Sequence, residues 1–397
     1  MNHHVLKLAE IGGKKQRSIV GLMSGTSLDG LDVALCTIEG TGRKTKINLD
    51  RFTTMPHSSF YKDSVRSIFS KHIIDLEQLC LLNKWIAEQH ATMLLTCLGN
   101  WKVEPLNIDL VASHGQTVYH SPQHSRGPDI FGNATLQIGD GDHLSVKSGI
   151  ITISDFRQKH VAAGGEGAPL AAYGDYFLFG KDTHAVILLN IGGIANFTYL
   201  PPKAPLFGTD VGPGNTLMDA WMRKNFKESP YDENAIIALE GTINEDLLVA
   251  LKTHPFFELS FPKTTGPELF NLVYLGNAMT VSNTKHLGVP DVMATLNKFT
   301  ADCISGPINE LTKSSSNTCI YISGGGLHNP LLFHHLQKDI KHARINSTAE
   351  HNVNPDAKEA MLFAILANEC VAGNIDNFQE GSFGFPPVSM GKISFPG

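Results

Sequence analysis

The sequence predicts an α/β protein of two related halves, and three observations carry that. Short apolar runs that read as strands alternate with segments of helical spacing along the chain. A strand, a glycine turn and a second strand open each half, once at 18–38 and again at 185–200, a weak internal repeat. The length of 397 residues also exceeds the ~100–200 residues of one ordinary domain. Two such units facing each other would leave a cleft between them.

The elements follow in order. Residues 1–17 read as a loose polar arm. Residues 18–23 (SIVGLM) and 31–38 (LDVALCTI) are strands joined by a turn rich in Gly and hydroxyls. Helical spacing runs through 61–100, with Leu76, Leu79, Cys80, Ile86, Met93, Leu94 and Leu98. A short strand at 109–112 ends at Ser113-His114-Gly115-Gln116-Thr117, and another covers 150–154 before a loop at 162–169. Strands at 185–191 and 195–200 flank Gly192-Gly193, and helices are expected at 216–226, 243–252 and 291–312. A last strand, 318–322, runs into Gly324-Gly325-Gly326 and an apolar segment at 331–336. The closing helix, 356–372, is rich in Ala, Leu, Met and Glu.

Composition excludes several classes. With 42% hydrophobic and 18% charged residues the chain is globular rather than disordered. A net charge of −6 without basic clusters argues against a nucleic-acid partner. No apolar run reaches the ~18 residues of a membrane span, and the polar start lacks the apolar core of a signal peptide. The 6 cysteines form no CxxC pair and no disulfide framework, which fits a reducing, cytosolic setting. The 37 glycines stand out because many fall in strand-end clusters.

Three of those clusters point to an anion. In GLMSGTSLDGLD, Gly25 and Gly30 let backbone N–H groups approach a phosphate, while Thr26 and Ser27 add hydroxyls. Asp29 or Asp32 could order a metal-bound water there. An ordinary hairpin turn uses the same residue types. Gly192-Gly193 repeats the device, and Gly324-Gly325-Gly326 is a third close approach; together they favour a nucleotide over three unrelated turns. In FGTDVGPGN, Asp210 sits on what reads as a rigid loop, as a general base requires. An Asx-type turn is the plainer alternative, and Asn215 is the expected cap of the next helix. Ser113 and His114 face opposite sides of a strand, so ligand hydrogen bonding is preferred to a catalytic pair. His120, His124, His334 and His335 lack the spacing of a zinc site and read as solvated.

Eight segments, taken in order, resemble those of the anhydro-N-acetylmuramic acid kinase family: GLMSGTSLDGLD, SHGQTVYH, DFRQKHVAAGGEGAPL, LNIGGIANFT, GTDVGPGNTLMDAW, PKTTGPELFN, SGGGLHNPLL and NPDAKEAMLFA. The resemblance implies an actin/hexokinase-like (ribonuclease H-like) fold of two lobes with ATP in the cleft. Residues 1–160 with 376–397 would form lobe I, and 161–375 lobe II. The implied reaction opens the 1,6-anhydro bridge of the sugar with water and phosphorylates O6, giving N-acetylmuramic acid 6-phosphate and ADP, in cytoplasmic cell-wall recycling. Carried onto this chain, Gly25, Thr26, Ser27, Leu28, Asp29, Gly30, Leu31 and Asp32 would bind the ATP phosphates. Gly192, Gly193, Gly324, Gly325 and Gly326 would complete the nucleotide site. Asp210 matches the catalytic base; Ser113, His114, Arg157 and Glu359 match positions at the sugar. Mg²⁺ would be ordered through water by Asp29 or Asp210. Arg157 and Lys263 are the cations expected near the transferring phosphate or the lactyl carboxylate, and a homodimer is implied. Glu166 stands where the family commonly has Gln, and Pro267 where it often has Arg.

Two other classes compete. A non-catalytic sugar or nucleotide sensor would not need Asp210. A glycoside hydrolase would need a carboxylate pair, for which Asp210 and Glu359 could pose, but it leaves the glycine turns without a role.

Overall fold

The computed structural model describes residues 2–123, 130–168, 170–180, 183–202, 206–226, 229–313, 317–347, 356–374, 386 and 388–397. His124, Pro169 and the expected boundary at 375/376 lie outside them. The chain forms two compact units, Met1–Phe179 with Asn352–Gly397, and Gly180–His351. The expected boundary at 160/161 would cut a helix, α5 below, whose Phe156 packs against Phe363 inside the first unit.

The first unit is built on a seven-stranded sheet. Its strands are β1 (Gln16–Ser24), β2 (Gly30–Glu39), β3 (Lys46–Pro56), β4 (Leu110–Ser121), β5 (Ala134–Ile138) and β6 (Thr152–Ser154). The last, β12 (Lys392–Ser394), comes from the C-terminal end. The order is β12-β6-β4-β1-β2-β3, with β5 pairing with the outer half of β4. β1, β2 and β3 are antiparallel neighbours, whereas β4 runs parallel to β1 and β6 parallel to β4. Helices α1 (His3–Gly13), α2 (Ser59–Arg66), α3 (Leu76–Trp101), α4 (Gly141–Ser148), α5 (Phe156–Ala162) and α6 (Ala171–Phe179) belong here.

The second unit repeats the plan. β7 (Val186–Ile191), β8 (Ile194–Leu200), β9 (Phe207–Pro213), β10 (Thr318–Ser323) and β11 (Ala343–Ser347) take the order β11-β10-β7-β8-β9. Again three antiparallel strands are followed by two parallel ones. Its helices are α7 (Thr216–Asn225), α8 (Ile236–Glu240), α9 (Glu245–Leu251), α10 (Leu272–Val281), α11 (Val289–Thr312) and α12 (Pro330–Asp339). The chain then returns to the first unit with α13 (Lys358–Ala372).

In α13, residues 360–369 are buried without a break. Its Met361, Leu362, Phe363, Ile365 and Leu366 contribute an upper estimate of about 8–15 kcal/mol of burial. The helix lies so close to β1 that a Cβ on Gly21 would sit 1.9 Å from the Ala360 carbonyl oxygen.

Three local expectations are corrected. The N-terminal arm is helical: Asn2 caps α1 by accepting from the His4 N–H at 2.8 Å, and Ile11 is buried. A Cβ on Gly12 would meet the Val371 carbonyl at 3.0 Å, so α1 packs on α13. The strand expected to stop at 112 continues as β4 through Ser121, bending at Gly115 with φ +74°. Asp210 lies on an edge strand, not a loop; Pro213 is tolerated because it ends a strand paired on one side.

Candidate active site

Residues 25–29 join β1 to β2. Thr26, Ser27 and Asp29 are exposed, while Leu28 is buried among Tyr61, Val65, Ile86 and Val118. Leu28 has φ +61°, a conformation that costs a non-glycine residue about 1–3 kcal/mol and is held here by the packing of its side chain. Its N–H donates to the Gly25 carbonyl at 3.3 Å, closing a four-residue turn. Gly30 is required because a Cβ there would lie 2.5 Å from the Met55 carbonyl. Leu31 is fully buried, so its side chain and that of Leu28 serve the core. Asp32 accepts from the Thr54 hydroxyl at 2.6 Å. Burial raises the Asp32 pKa; the Thr54 bond opposes that, and the Asp356 charge adds to it.

A second cluster joins β4, α5 and α13. The His114 Nδ1–H donates to the Gly115 carbonyl at 3.0 Å, leaving Nε2 to accept from the Arg157 Nε–H at 3.0 Å. His114 is 4% exposed. Burial, then the Arg157 charge, hold its pKa down to about 3, so the ring is a neutral acceptor. Arg157 also donates to the Gly167 carbonyl at 2.7 Å. Glu359, in the first turn of α13, is raised by burial, with the Arg157 charge acting against that shift. Ser113 is buried, and its hydroxyl accepts from the Gly115 N–H at 3.3 Å. His114, Arg157 and Glu359 therefore form one electrostatic group, with Ser113 bracing the backbone beside it.

In the second unit, the Asp210 N–H donates to the Lys263 carbonyl at 2.9 Å, and Asp210 Oδ2 accepts from the Thr265 N–H at 2.8 Å. The carboxylate is half-buried. Burial raises its pKa, the Thr265 bond lowers it, and the Glu268 charge raises it again. The Thr209 hydroxyl accepts from the Lys263 N–H at 3.0 Å, so residues 263–265 fix Asp210 from both sides of the strand.

Lys263 is engaged within its own unit. Its ammonium donates to the Phe256 carbonyl at 2.9 Å and lies 4.4 Å from the Phe256 ring centre and 5.2 Å from that of Phe261. The residue is 8% exposed and burial lowers its pKa. This cation is held by an aromatic and carbonyl cage.

The glycine turns of this unit converge. Gly214 N–H donates to Gly193 O, and Asn215 N–H to Gly192 O, each at 2.8 Å. A Cβ on Gly214 would lie 2.2 Å from Gly192 O, and one on Gly324 would lie 2.6 Å from Ile191 O. A Cβ on Gly326 would lie 2.3 Å from the Ile191 side chain, and one on Gly325 3.7 Å from Asn215 Nδ2. Asn215 stands at the start of α7, as expected, but its side chain makes no capping bond.

No cluster of three or more His, Cys, Asp or Glu suited to a metal occurs among the described residues. Each unit instead offers a single carboxylate: exposed Asp29 in the first, and in the second Asp210, with one oxygen bonded by Thr265. Either one alone suits Mg²⁺, which keeps most of its waters and leans on one or two carboxylates plus substrate phosphates. His57, Tyr61, Thr54, Gln116 and Thr265 escaped sequence reasoning, because their roles arise from contacts between distant elements. Only the QT of SHGQT and the TT of PKTTGPELFN carried a signal, as members of the resembling segments.

The duplicated strand order, with a glycine turn after the first strand of each unit, defines a chain of the actin/hexokinase-like α/β class. The profile of the anhydro-N-acetylmuramic acid kinase family matches residues 17–395. An anhydro-N-acetylmuramic acid kinase from Pseudoalteromonas atlantica (strain T6c / ATCC BAA-1087) is 50% identical over 400 residues, covering 100% of both chains. The protein of that name from Pseudoalteromonas translucida (strain TAC 125) is 51% identical over 402 residues, again covering 100% of both. That from Caldanaerobacter subterraneus subsp. tengcongensis is 35% identical over 399 residues, covering 98% of this chain and 99% of that one. The chain belongs to the anhydro-N-acetylmuramic acid kinase family, enzymes that transfer phosphate to an alcohol group. No helix among the described residues is long and apolar enough to cross a membrane.

Proposed function

We propose that this chain opens 1,6-anhydro-N-acetylmuramic acid with water and phosphorylates O6 from ATP, yielding N-acetylmuramic acid 6-phosphate and ADP. The observation that carries this is Asp210, a half-buried carboxylate whose pKa burial raises and which the Thr265 N–H aims, a positioned group such as a general base needs. Asp210 takes a proton from water as its oxygen bonds to C1. The C1–O6 bond breaks, O6 attacks the γ-phosphorus in line, and ADP leaves. Phosphoryl transfer asks mainly for positioning and charge neutralisation.

The phosphates are assigned to residues 25–32, with Gly192, Gly193, Gly324, Gly325 and Gly326 supporting the nucleotide. His114, Arg157 and Glu359 hold the sugar, Arg157 offering the cation for its lactyl carboxylate and Ser113 steadying the strand. Asp29 or Asp210 would hold Mg²⁺ through water, and the ion would supply neutralisation of phosphate charge. The setting is cytoplasmic recycling of cell-wall sugars, and the assembly a homodimer, which light scattering behind gel filtration would check.

Incubating the protein with Mg-ATP and the anhydro sugar is expected to give ADP and a phosphorylated, ring-opened product in equal amounts. Asp210→Asn is expected to abolish both while ATP still binds. Near-normal turnover in that variant would sink the base assignment. Ring opening without ADP would mean a hydrolase, and sugar binding without any reaction would mean a sensor.

A further inference from the structure

We propose that Gln116 aims the phosphate-binding turn from beneath it, as a positioning residue for the triphosphate; this rests on the assignment of residues 25–32 to the phosphates. Gln116 is fully buried on β4, opposite Ser24 at the last register position of β1. Its Nε2 lies 3.3 Å from the Gly25 carbonyl and 3.4 Å from the Thr117 carbonyl. Both are acceptors only, so they fix which end of the amide is the nitrogen. Oε1 then faces the Ser24 hydroxyl at 2.6 Å and the Tyr61 hydroxyl at 3.4 Å.

The rest of the network follows from proton counting. Ser24 has one hydroxyl proton, and the 2.6 Å contact to Gln116 Oε1 requires it. The 2.9 Å contact from Ser24 Oγ to His57 must therefore be donated by His57 Nε2–H. His57 stacks flat on Tyr61, with ring centres 3.8 Å apart and planes 4° from parallel. Tyr61 in turn contacts His90 Nε2 at 3.0 Å. Four side chains, from β1, the 57–58 connection, α2 and α3, thus hold the Gln116 amide of β4 in one orientation.

The amide acts on the turn through the geometry of a peptide. A trans peptide carries its C=O and the following N–H on opposite sides. With the Gly25 C=O drawn inward by Gln116 Nε2–H and Leu28 N–H, the Thr26 N–H faces outward. The Thr26 and Ser27 N–H groups donate to nothing among the described residues, and both residues are exposed. Free, outward N–H groups at a glycine turn are what an anion nest needs. Without Gln116, the Gly25–Thr26 peptide, next to a residue as permissive as glycine, is held only by the 3.3 Å Leu28 N–H bond.

The test is steady-state kinetics with ATP and sugar varied separately, on folded variants. Gln116→Glu keeps the shape but replaces the donor by an oxygen facing Gly25 O; Gln116→Met keeps the length without a donor. Each is expected to raise the ATP KM about three- to tenfold, the worth of one neutral hydrogen bond, with the sugar KM within twofold of the parent. Thr26→Pro, which deletes the outward N–H, is expected to raise the ATP KM at least as much. If Thr26→Pro does so and both Gln116 variants do not, the role of Gln116 is refuted while the turn assignment stands. If Thr26→Pro leaves the ATP KM unchanged, the turn assignment fails and takes the proposal with it. Equal rises in both KM values would show a general disturbance and overturn it too. Should the Gln116 variants not fold, Ser24→Ala, which leaves Gln116 Oε1 only the 3.4 Å contact to Tyr61, must show the same one-sided rise or the proposal falls.

Discussion

Acidification should destabilise the first unit well above the pH at which carboxylates titrate. His57, His90 and His114 are buried there, and desolvation holds their pKa values to about 4, about 3 and about 3. The native rings stay neutral, whereas in the unfolded chain each takes a proton near pH 6.5. Stability from these groups is therefore complete above about pH 7 and is lost as the pH falls through 6.5 toward the folded values. Between pH 7.5 and pH 5.5 each histidine costs about 1.4 kcal/mol, so the three together cost about 4 kcal/mol. That is a large part of a typical domain stability of about 5–15 kcal/mol. Asp32 and Glu359 are raised and act in the opposite sense, but nearer the carboxyl range, so the comparison stops at pH 5.5. The assay is urea unfolding by tryptophan fluorescence in a Trp221→Phe background, where Trp85 and Trp101 report on the first unit alone. His90→Gln should recover about a third of the loss. A change under 1 kcal/mol across this range, or no recovery in His90→Gln, would refute the burial of neutral histidines.

Three further outcomes are expected. Arg157→Lys cannot reproduce the bonds to His114 and Gly167 from a single ammonium; the sugar KM should rise roughly tenfold or more with the ATP KM little changed, and unchanged kinetics would remove Arg157 from the site. Lys263→Met should cost about 1–3 kcal/mol, from the stranded Phe256 carbonyl, and leave both KM values within twofold; a large rise in either would mean the ammonium leaves its cage for a ligand. Gly21→Ala places a Cβ on the Ala360 backbone, so urea unfolding should show a loss at or beyond the upper end of the ~1–3 kcal/mol usual for overpacking; parent-like stability would contradict the close approach of β1 and α13.

How much was legible in the sequence depends on whether a feature is local. β1, β2, β7, β8 and β10 are apolar runs cut off by Gly or Ser, and that punctuation suffices. The α1 helix was not legible, because HHVLKLAEIGG ends in two glycines and its stability comes from Ile11 and Gly12 packing on α13, far along the chain. Arg17 shows the same: its guanidinium is buried, bonding the Asn368 side chain at 2.6 Å and the Gly40 carbonyl at 3.0 Å. Asp210 was found by its residue type between glycines, yet its strand was not, since Gly208, Gly212 and Pro213 imitate a loop. The candidate residues were named one at a time; that His114 is a neutral acceptor for Arg157 is a property of burial and tautomer, which no spacing encodes.

The repeat that opened the sequence reading is real in topology and unequal in chemistry. Both units place a turn between their first two strands, but the turns meet different surroundings. In the first unit the chain takes residues 25–29 to cross from β1 to β2, with Leu28 buried as an anchor and Thr26, Ser27 and Asp29 facing solvent. In the second, Gly192-Gly193 crosses alone, and its carbonyls accept from Gly214, Asn215 and Thr216, the Thr216 hydroxyl included at 2.6 Å. That turn is committed to fixing the end of β9, three residues beyond Asp210, and the start of α7. The two turns therefore differ in what they hold. One leaves the Thr26 and Ser27 N–H groups without a partner among the described residues, and its counterpart stiffens the strand that carries Asp210. A duplicated fold keeps its strand order because the sheet's hydrogen bonding demands it. The turns, bound by no such ladder, are where the two halves were free to part.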